Sequence, residues 1–184
     1  MELSIEKNRK EQKYSRTHQF KRVLWIIGKV FFRLTPRPSF GIRRYILRLF
    51  GAKVGRHVHI YPSAIIYFPW NLEIGNWSAI GENVLIYNLG EICIGEKVTI
   101  SHNAHLCAGT HDYTDVTLPL IKPPIIIGDQ AWVCAEAFVG PNLTVGEGSI
   151  VGAGTVLTYN TVPWMVYAGN PAVQIKKREL KNDK

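Results

Sequence analysis

The sequence predicts an all-β solenoid, a coil of short parallel strands wound as a triangular prism, with a short helical segment in front of it. The first observation is a six-residue period of aliphatics. They fall at Val54, Ile60 and Ile66, at Ile74, Ile80 and Ile86, and at Ile94, Ile100 and Leu106. They return at Ile127, Val133 and Val139, and at Val145, Val151 and Leu157. The second is the glycine that follows many of them, as at Gly55, Gly75, Gly81, Gly95, Gly128 and Gly146. The third is a small residue four places on, as at Ala64, Ser78, Ala104, Ala131, Ala137 and Ser149. A period of six suits neither the 3.6-residue turn of an α-helix nor plain alternation in a strand. It suits three hexads to a turn, with the aliphatic on the axis, the small residue in the crowded corner, and glycine supplying the corner dihedrals.

Residues 1–53 are expected as a basic helical segment. Up to about residue 20 the chain reads as a polar lead. Phe20, Val23, Leu24, Ile27 and Phe31 then recur at three- and four-residue spacing, which predicts a helix from Phe20 to Leu34 that stops before Pro36 and Pro38. A second helix is expected over Phe40 to Phe50, with Ile42, Tyr45, Ile46 and Leu49 set against Arg43, Arg44 and Arg48, and Gly51 ending it. Fifteen of the 22 Lys and Arg residues lie in residues 1–56, so the positive net charge belongs to this segment and not to the prism. Apolar faces beside so many cations fit an interfacial membrane anchor. A solenoid also needs a cap over its open first turn, the reading these faces fit first, and both roles hold together if the apolar faces pack inward and the arginines face a bilayer.

The solenoid is expected over residues 54–168 and a C-terminal tail over 169–184. Between hexad groups, the spacing widens to eight residues from Ile66 to Ile74 and from Ile86 to Ile94, which places two-residue bulges at a corner. From Leu106 to Ile127 it widens to 21, and this insertion, residues 107–124, carries His111. A loop of more than about 12 residues inside a compact array is characteristically functional. His111 is therefore the centre of the expected active site.

Cys93, Cys107 and Cys134 form an odd set without a CxxC pattern, which argues against a disulfide framework or zinc knuckle and fits a reducing compartment. The polar start shows no signal peptide, and the apolar run from Val23 to Phe32 is too short to span a bilayer. A cytoplasmic location is expected, at the inner face of the membrane if the anchor reading holds. No nucleic-acid partner is expected.

The hexads, the His111 loop and the terminal Gly169-Asn170-Pro171-Ala172 resemble the hexapeptide-repeat acyltransferases. The closer resemblance is to the WcaF-type acetyltransferases of colanic-acid and capsule biosynthesis. It rests on Leu49-Phe50-Gly51-Ala52-Lys53-Val54-Gly55, Tyr87-Asn88-Leu89-Gly90-Glu91-Ile92 and Leu106-Cys107-Ala108-Gly109-Thr110-His111-Asp112. The resemblance implies a left-handed parallel β-helix, a homotrimer, and direct acetyl transfer from acetyl-CoA to a sugar hydroxyl of a surface polysaccharide or its precursor, without a metal. It makes His111 the general base, and a neutral imidazole suits that task near neutral pH. A backbone N–H near Ala135 would stabilise the oxyanion. Asn88, Glu91 and Asp112 would face the acceptor, Glu91 either orienting the imidazole or binding a sugar hydroxyl. Trp132 would wall the thiol end of the donor, with Ala135 and Ala153 giving backbone contacts. Thr158, Gly169, Asn170 and Lys176 would lie toward the adenine and phosphates. Trp132 equally fits a subunit interface, and the Lys176-Lys177-Arg178 cluster a solvated tail.

Three other readings compete. Cys107 lies four residues from His111, the spacing at which an acyl-enzyme nucleophile is worth weighing. His102, His105 and His111 are the residues a metal-dependent hydro-lyase of the γ-carbonic-anhydrase type would use on the same fold. A structural trimer without chemistry is the third.

Overall fold

The computed structural model describes residues 3–181. Residues 1–2 and 182–184, the outer ends of the expected N-terminal segment and C-terminal tail, lie outside the described residues. The hexads stack as read. One face of the prism is built from Lys53–Val54, Leu72–Ile74, Ile92–Ile94, Ile125–Ile127 and Leu143–Val145, all parallel. The second face begins at His59–Ile60 and passes through Ala79–Ile80, Thr99–Ile100, Trp132–Val133 and Ile150–Val151 to Met165–Ala168. The third runs from Ile65–Ile66 through Leu85–Tyr87, His105–Cys107 and Phe138–Val139 to Val156–Leu157. Each hexad aliphatic pairs with its counterpart in the next turn, as Ile74 with Ile94 and Ile94 with Ile127. From Val54 to Leu157 none of them is more than 7% exposed. Each such side chain contributes about 1.5–3 kcal/mol by leaving water, so the axial column is the main stabilising feature.

The glycines do a different job from the one expected. The left-handed corner residues, each three places after an aliphatic, are His57, Trp77, Asn83, Lys97, Asn103, Gln130, Glu136 and Asn142, with glycine at the last two, Gly148 and Gly154. The glycine directly after the aliphatic is there because the next turn lies against it. A Cβ at Gly75 would sit 2.6 Å from the carbonyl carbon of Gly95 and 2.7 Å from the amide of Glu96, which no real side chain tolerates.

The carbonyls of the hexad aliphatics accept from the turn before. Gly55 N–H donates to Ile74 O, Gly75 N–H to Ile94 O and Gly95 N–H to Ile127 O, at 2.7–2.8 Å. The corresponding first-turn carbonyls, those of Val54, Val58, Ile60 and Ile66, therefore point away from the array with no earlier turn to serve them. Buried carbonyls need donors, and the N-terminal helices provide them. They are α1 (Ile5–Lys10), α2 (Arg16–Leu34) and α3 (Phe40–Leu49). Trp25 Nε1 donates to Ile66 O at 2.9 Å, and Arg43 Nε donates to Ile60 O. Arg44 Nη1 reaches Val58 O at 2.9 Å, and Arg48 Nη2 reaches Val54 O at 2.6 Å and Gly55 O at 2.9 Å. The arginines of α3 thus point inward, opposite to the arrangement in which they would face a bilayer. The first-turn acceptors are what draw them there.

Two further differences bear on the site. α2 starts four residues before the first apolar residue of its pattern, because Ser15 caps it by accepting from His18 N–H at 3.2 Å. The lead before it is not free, since α1 is docked on the inserted loop, as described below. At the far end, Val173–Lys177 folds back antiparallel on Met165–Ala168 and extends the second face by one strand.

Candidate active site

The insertion leaves the prism at the corner between the third and first faces. Thr110–His111 pairs antiparallel with Leu120–Ile121, so the loop is a β-hairpin, and the ladder closes beneath it with Ile92 in register with Ile125. Two turns stiffen its tip. Asp112 Oδ1 accepts from Thr114 N–H at 2.9 Å and Thr114 Oγ1 at 2.6 Å. Asp115 Oδ1 accepts from Thr117 N–H at 2.7 Å and Oγ1 at 2.8 Å. These bonds hold both carboxyls below the usual carboxylate range, the Thr114 hydroxyl leading for Asp112 and the Thr117 amide for Asp115. Leu118 closes the second turn in the left-handed region, at φ +47°, where a branched side chain is uncommon.

That turn presents the Leu118 carbonyl to His111. The imidazole is exposed, with Nδ1 2.7 Å from Leu118 O. A carbonyl only accepts, so Nδ1 is the donor, and in the neutral tautomer that leaves the lone pair on Nε2. α1 grips the same turn from outside. Ser4 N–H donates to Val116 O at 2.8 Å, and Asn8 Nδ2 donates to Thr117 O at 2.8 Å and to Leu118 O. Asn8 is 6% exposed. One carbonyl thus receives both His111 and a residue of the N-terminal helix. Nothing in the sequence flagged Asn8, because a six-residue polar helix has no periodicity and a backbone acceptor has no signature.

Around the hairpin base, Gly109 packs against Tyr87 and Leu89, where a Cβ would come to 3.0 Å of both side chains. Tyr14, His18, Phe68 and Trp70 form an aromatic cluster nearby, and Lys122 lies over the Tyr14 ring at 4.1 Å. Burial first, then Lys122, Arg22 and Lys21, push the His18 imidazole toward its neutral form.

The expected acceptor residues are placed as follows. Asn88 is fully buried: Oδ1 accepts from Tyr67 N–H at 3.1 Å and Phe68 N–H at 3.0 Å, and Nδ2 donates to Phe68 O. Its amide therefore staples the bulged corner. Glu91 is exposed on the first face, beside Lys53, Glu73 and Cys93. Among the described residues its carboxylate has no hydrogen bond to His111. Asp112 turns its carboxylate into the hairpin tip.

The residues expected on the donor side lie on another corner. Trp132 is 42% exposed on the second face, with Nε1 donating to Ser101 Oγ at 2.8 Å. Ala135, Ala153 and Gly169 follow that face in three successive turns and stack in one column: Gly154 N–H donates to Ala135 O at 2.9 Å, and Val156 N–H to Gly169 O at 3.0 Å. Thr158, Asn170 and Lys176 are exposed. Arg178 is already used, donating to Gln130 O at 2.8 Å and Gly148 O at 2.9 Å, which leaves Lys176 and Lys177 as the open cations of that cluster. A single prism therefore does not bring His111 and the small-residue column together.

The competing residues are arranged differently. The Cys107 thiol donates to Gly109 O at 3.3 Å, and burial pushes its pKa up, the reverse of an activated nucleophile. His105 sits edge-on between Tyr87 and Phe138, while His102 is exposed on the Ala135 corner. Among the described residues no three His, Cys, Asp or Glu side chains group as metal ligands.

Comparison with known proteins fits this geometry. No family model matches. The protein named colanic acid biosynthesis acetyltransferase WcaF in Escherichia coli (strain K12) is 38% identical over 154 residues, covering 84% of this chain and 85% of that one. Galactoside acetyltransferase in complex with coenzyme A superposes with a TM-score of 0.82 at 22% identity, over 97% of this chain and 92% of that one. A hexapeptide-repeat acetyltransferase of Vibrio cholerae O1 biovar eltor complexed with acetyl-CoA gives 0.82 at 21% identity, over 94% and 95%. At such identities the two structures establish the shared fold, the left-handed parallel β-helix.

Proposed function

Because the chain belongs to the WcaF-like hexapeptide-repeat acetyltransferases, we propose that it moves the acetyl group of acetyl-CoA to a hydroxyl of a sugar in surface-polysaccharide synthesis, colanic-acid- or capsule-like, with His111 as general base. The observation that carries this reading is the Nδ1–H bond to Leu118 O, which in the neutral ring puts the lone pair on Nε2, on the exposed histidine of the long insertion in the array.

A sugar hydroxyl is a poor nucleophile until its proton is taken in the transition state. Nε2 accepts that proton as the hydroxyl oxygen attacks the thioester carbonyl. The imidazolium then returns it to the departing CoA sulfur, so the enzyme ends unchanged. The oxyanion falls to the Ala135 amide, which no backbone carbonyl engages among the described residues. The corner column fits an extended pantetheine, since its wall is backbone and methyl groups, and a Cβ added at Gly154 would meet nothing within 4 Å. Trp132 walls the thiol end, while Thr158, Gly169, Asn170 and Lys176 lie toward the nucleotide end. On the acceptor side, Glu91 is the exposed carboxylate for a sugar hydroxyl. Asn88 acts from beneath, through the Tyr67–Phe68 backbone, and Asp112 through the Thr114 turn at the hairpin tip.

Base and donor column occupy different corners of one prism. The reading therefore makes the active unit a homotrimer at the cytoplasmic side, in which the His111 corner of one copy faces the Ala135 corner of the next. The test is incubation of the full chain with acetyl-CoA and a panel of free, nucleotide-linked and lipid-linked sugars, following release of free CoA. Release that depends on the acceptor is expected. A chain that binds no acetyl-CoA would overturn the assignment.

The Leu118 turn gives a second expectation. Asn8→Ala removes an anchor of the carbonyl that orients His111, so kcat should fall about fivefold to tenfold, the worth of one buried hydrogen bond. The donor KM should hold, because α1 lies away from the Ala135 column. An unchanged kcat would show that the hairpin holds its own geometry.

A further inference from the structure

The cap turns α2 inside out. Its buried residues are Trp25, Gly28 and Phe32, which face the first turn of the prism. Phe20, Val23, Ile27, Val30, Phe31 and Leu34 lie on the opposite side, and every one is more than half exposed. At the helical repeat they share an arc of about 100°, along a helix of about 28 Å. A helix seated on a body ordinarily hides this face and wets the other. The apolar surface continues onto α3, because Leu24 of α2 and Leu49 of α3 line one open recess with Phe50 and Trp70. Arg16, Lys21, Arg22 and Arg33 stand exposed along the helix, and no Asp or Glu occurs between Glu11 and Glu73.

That charge distribution decides what the face receives. A second copy meeting it across a twofold axis would set one rim of cations against an identical rim, with no acid in either segment to answer it. An anionic bilayer offers both what the arc needs and what the rim needs. We propose that the outward face of α2, continued by Leu49 of α3, lies in the headgroup–acyl boundary of an anionic membrane, with the basic rim at phosphate level. No helix among the described residues is long and apolar enough to cross a membrane, so contact of this kind is interfacial. The face is the converse of one built on the α3 arginines, which the first-turn carbonyls have already engaged.

The inference is independent of acetyl transfer, and its test does not use activity. The full chain is sedimented with vesicles of phosphatidylcholine alone and of phosphatidylcholine with phosphatidylglycerol, at low and at physiological salt. Binding to the anionic vesicles is expected, weakening several-fold with salt as the rim is screened. Ile27→Ser with Phe31→Ser should reduce it by at least about tenfold, given the apolar burial lost, while thermal unfolding and sedimentation coefficient stay as in the wild type. Absence of wild-type binding to anionic vesicles at low salt would overturn the proposal. So would a double variant that binds equally well. A double variant whose sedimentation coefficient drops while the wild type ignores vesicles would assign the face to a neighbouring subunit instead, and overturn it too.

Discussion

His111→Ala is expected to lower turnover by about 10²–10⁴ while acetyl-CoA still binds and the fold persists. The size follows from the job assigned. Without a base the sugar hydroxyl must lose its proton to water, and positioning and oxyanion stabilisation are what remain. The fold should not suffer, because the imidazole is exposed and outside the axial column. Its one hydrogen bond runs to a carbonyl that Asn8 also serves. The measurement is steady-state turnover with donor affinity determined separately. Near-normal turnover with intact donor binding would remove His111 from the mechanism. Cys107→Ala belongs in the same experiment as the contrasting substitution, since its half-buried thiol, whose pKa burial pushes up, predicts a mild effect.

Arg43→Ala should cost about 3–5 kcal/mol of stability, the loss associated with stranding several buried polar groups at once. Arg43 is fully buried, yet among the described residues no carboxylate pairs with it. Its guanidinium is held by oxygens that are neutral: Ile60 O, Thr35 Oγ1 at 2.6 Å, Pro36 O at 2.9 Å and Arg37 O at 2.6 Å. It thereby ties the first turn of the prism to the link between α2 and α3. Truncation leaves these acceptors dry and opens a cavity between helix and prism. Arg43→Met, which restores the stem and not the donors, should recover only the packing part. Denaturant unfolding of the three proteins measures the difference. A loss below about 1 kcal/mol for Arg43→Ala would mean that water enters the cap freely.

The inward column of the prism was legible in the sequence. Inward positions accept only Ile, Val or Leu, and turn length is fixed by stacking, so Val54 and Leu157 could be put in one column from spacing alone. α2 and α3 were legible for the same reason, periodicity. What periodicity cannot show is which way a helix turns when the body it sits on offers carbonyls instead of a hydrophobic groove. Arg43, Arg44 and Arg48 follow the carbonyls, and Phe31 and Leu34 are left outside. In the site, His111 announced itself by interrupting the repeat. Asn8 and Leu118 did not, because their contact joins a side chain to a backbone oxygen more than a hundred residues away. Nor did the pattern show that Asn88 is spent on the Tyr67–Phe68 backbone, since bulge and binding patch look alike as letters.

The register across the insertion has its own consequence. Leu72 pairs with Ile92, and Ile92 with Ile125, although the second stretch of chain is far longer than the first. The ladder does not record how much polypeptide was looped out between its steps. Residues 107–124 can therefore lengthen, shorten or change composition while every aliphatic in the column keeps its partner. The hairpin behaves as an exchangeable cassette on an indifferent spine, and descendants of one prism can diverge in what they acetylate without first renegotiating how they fold.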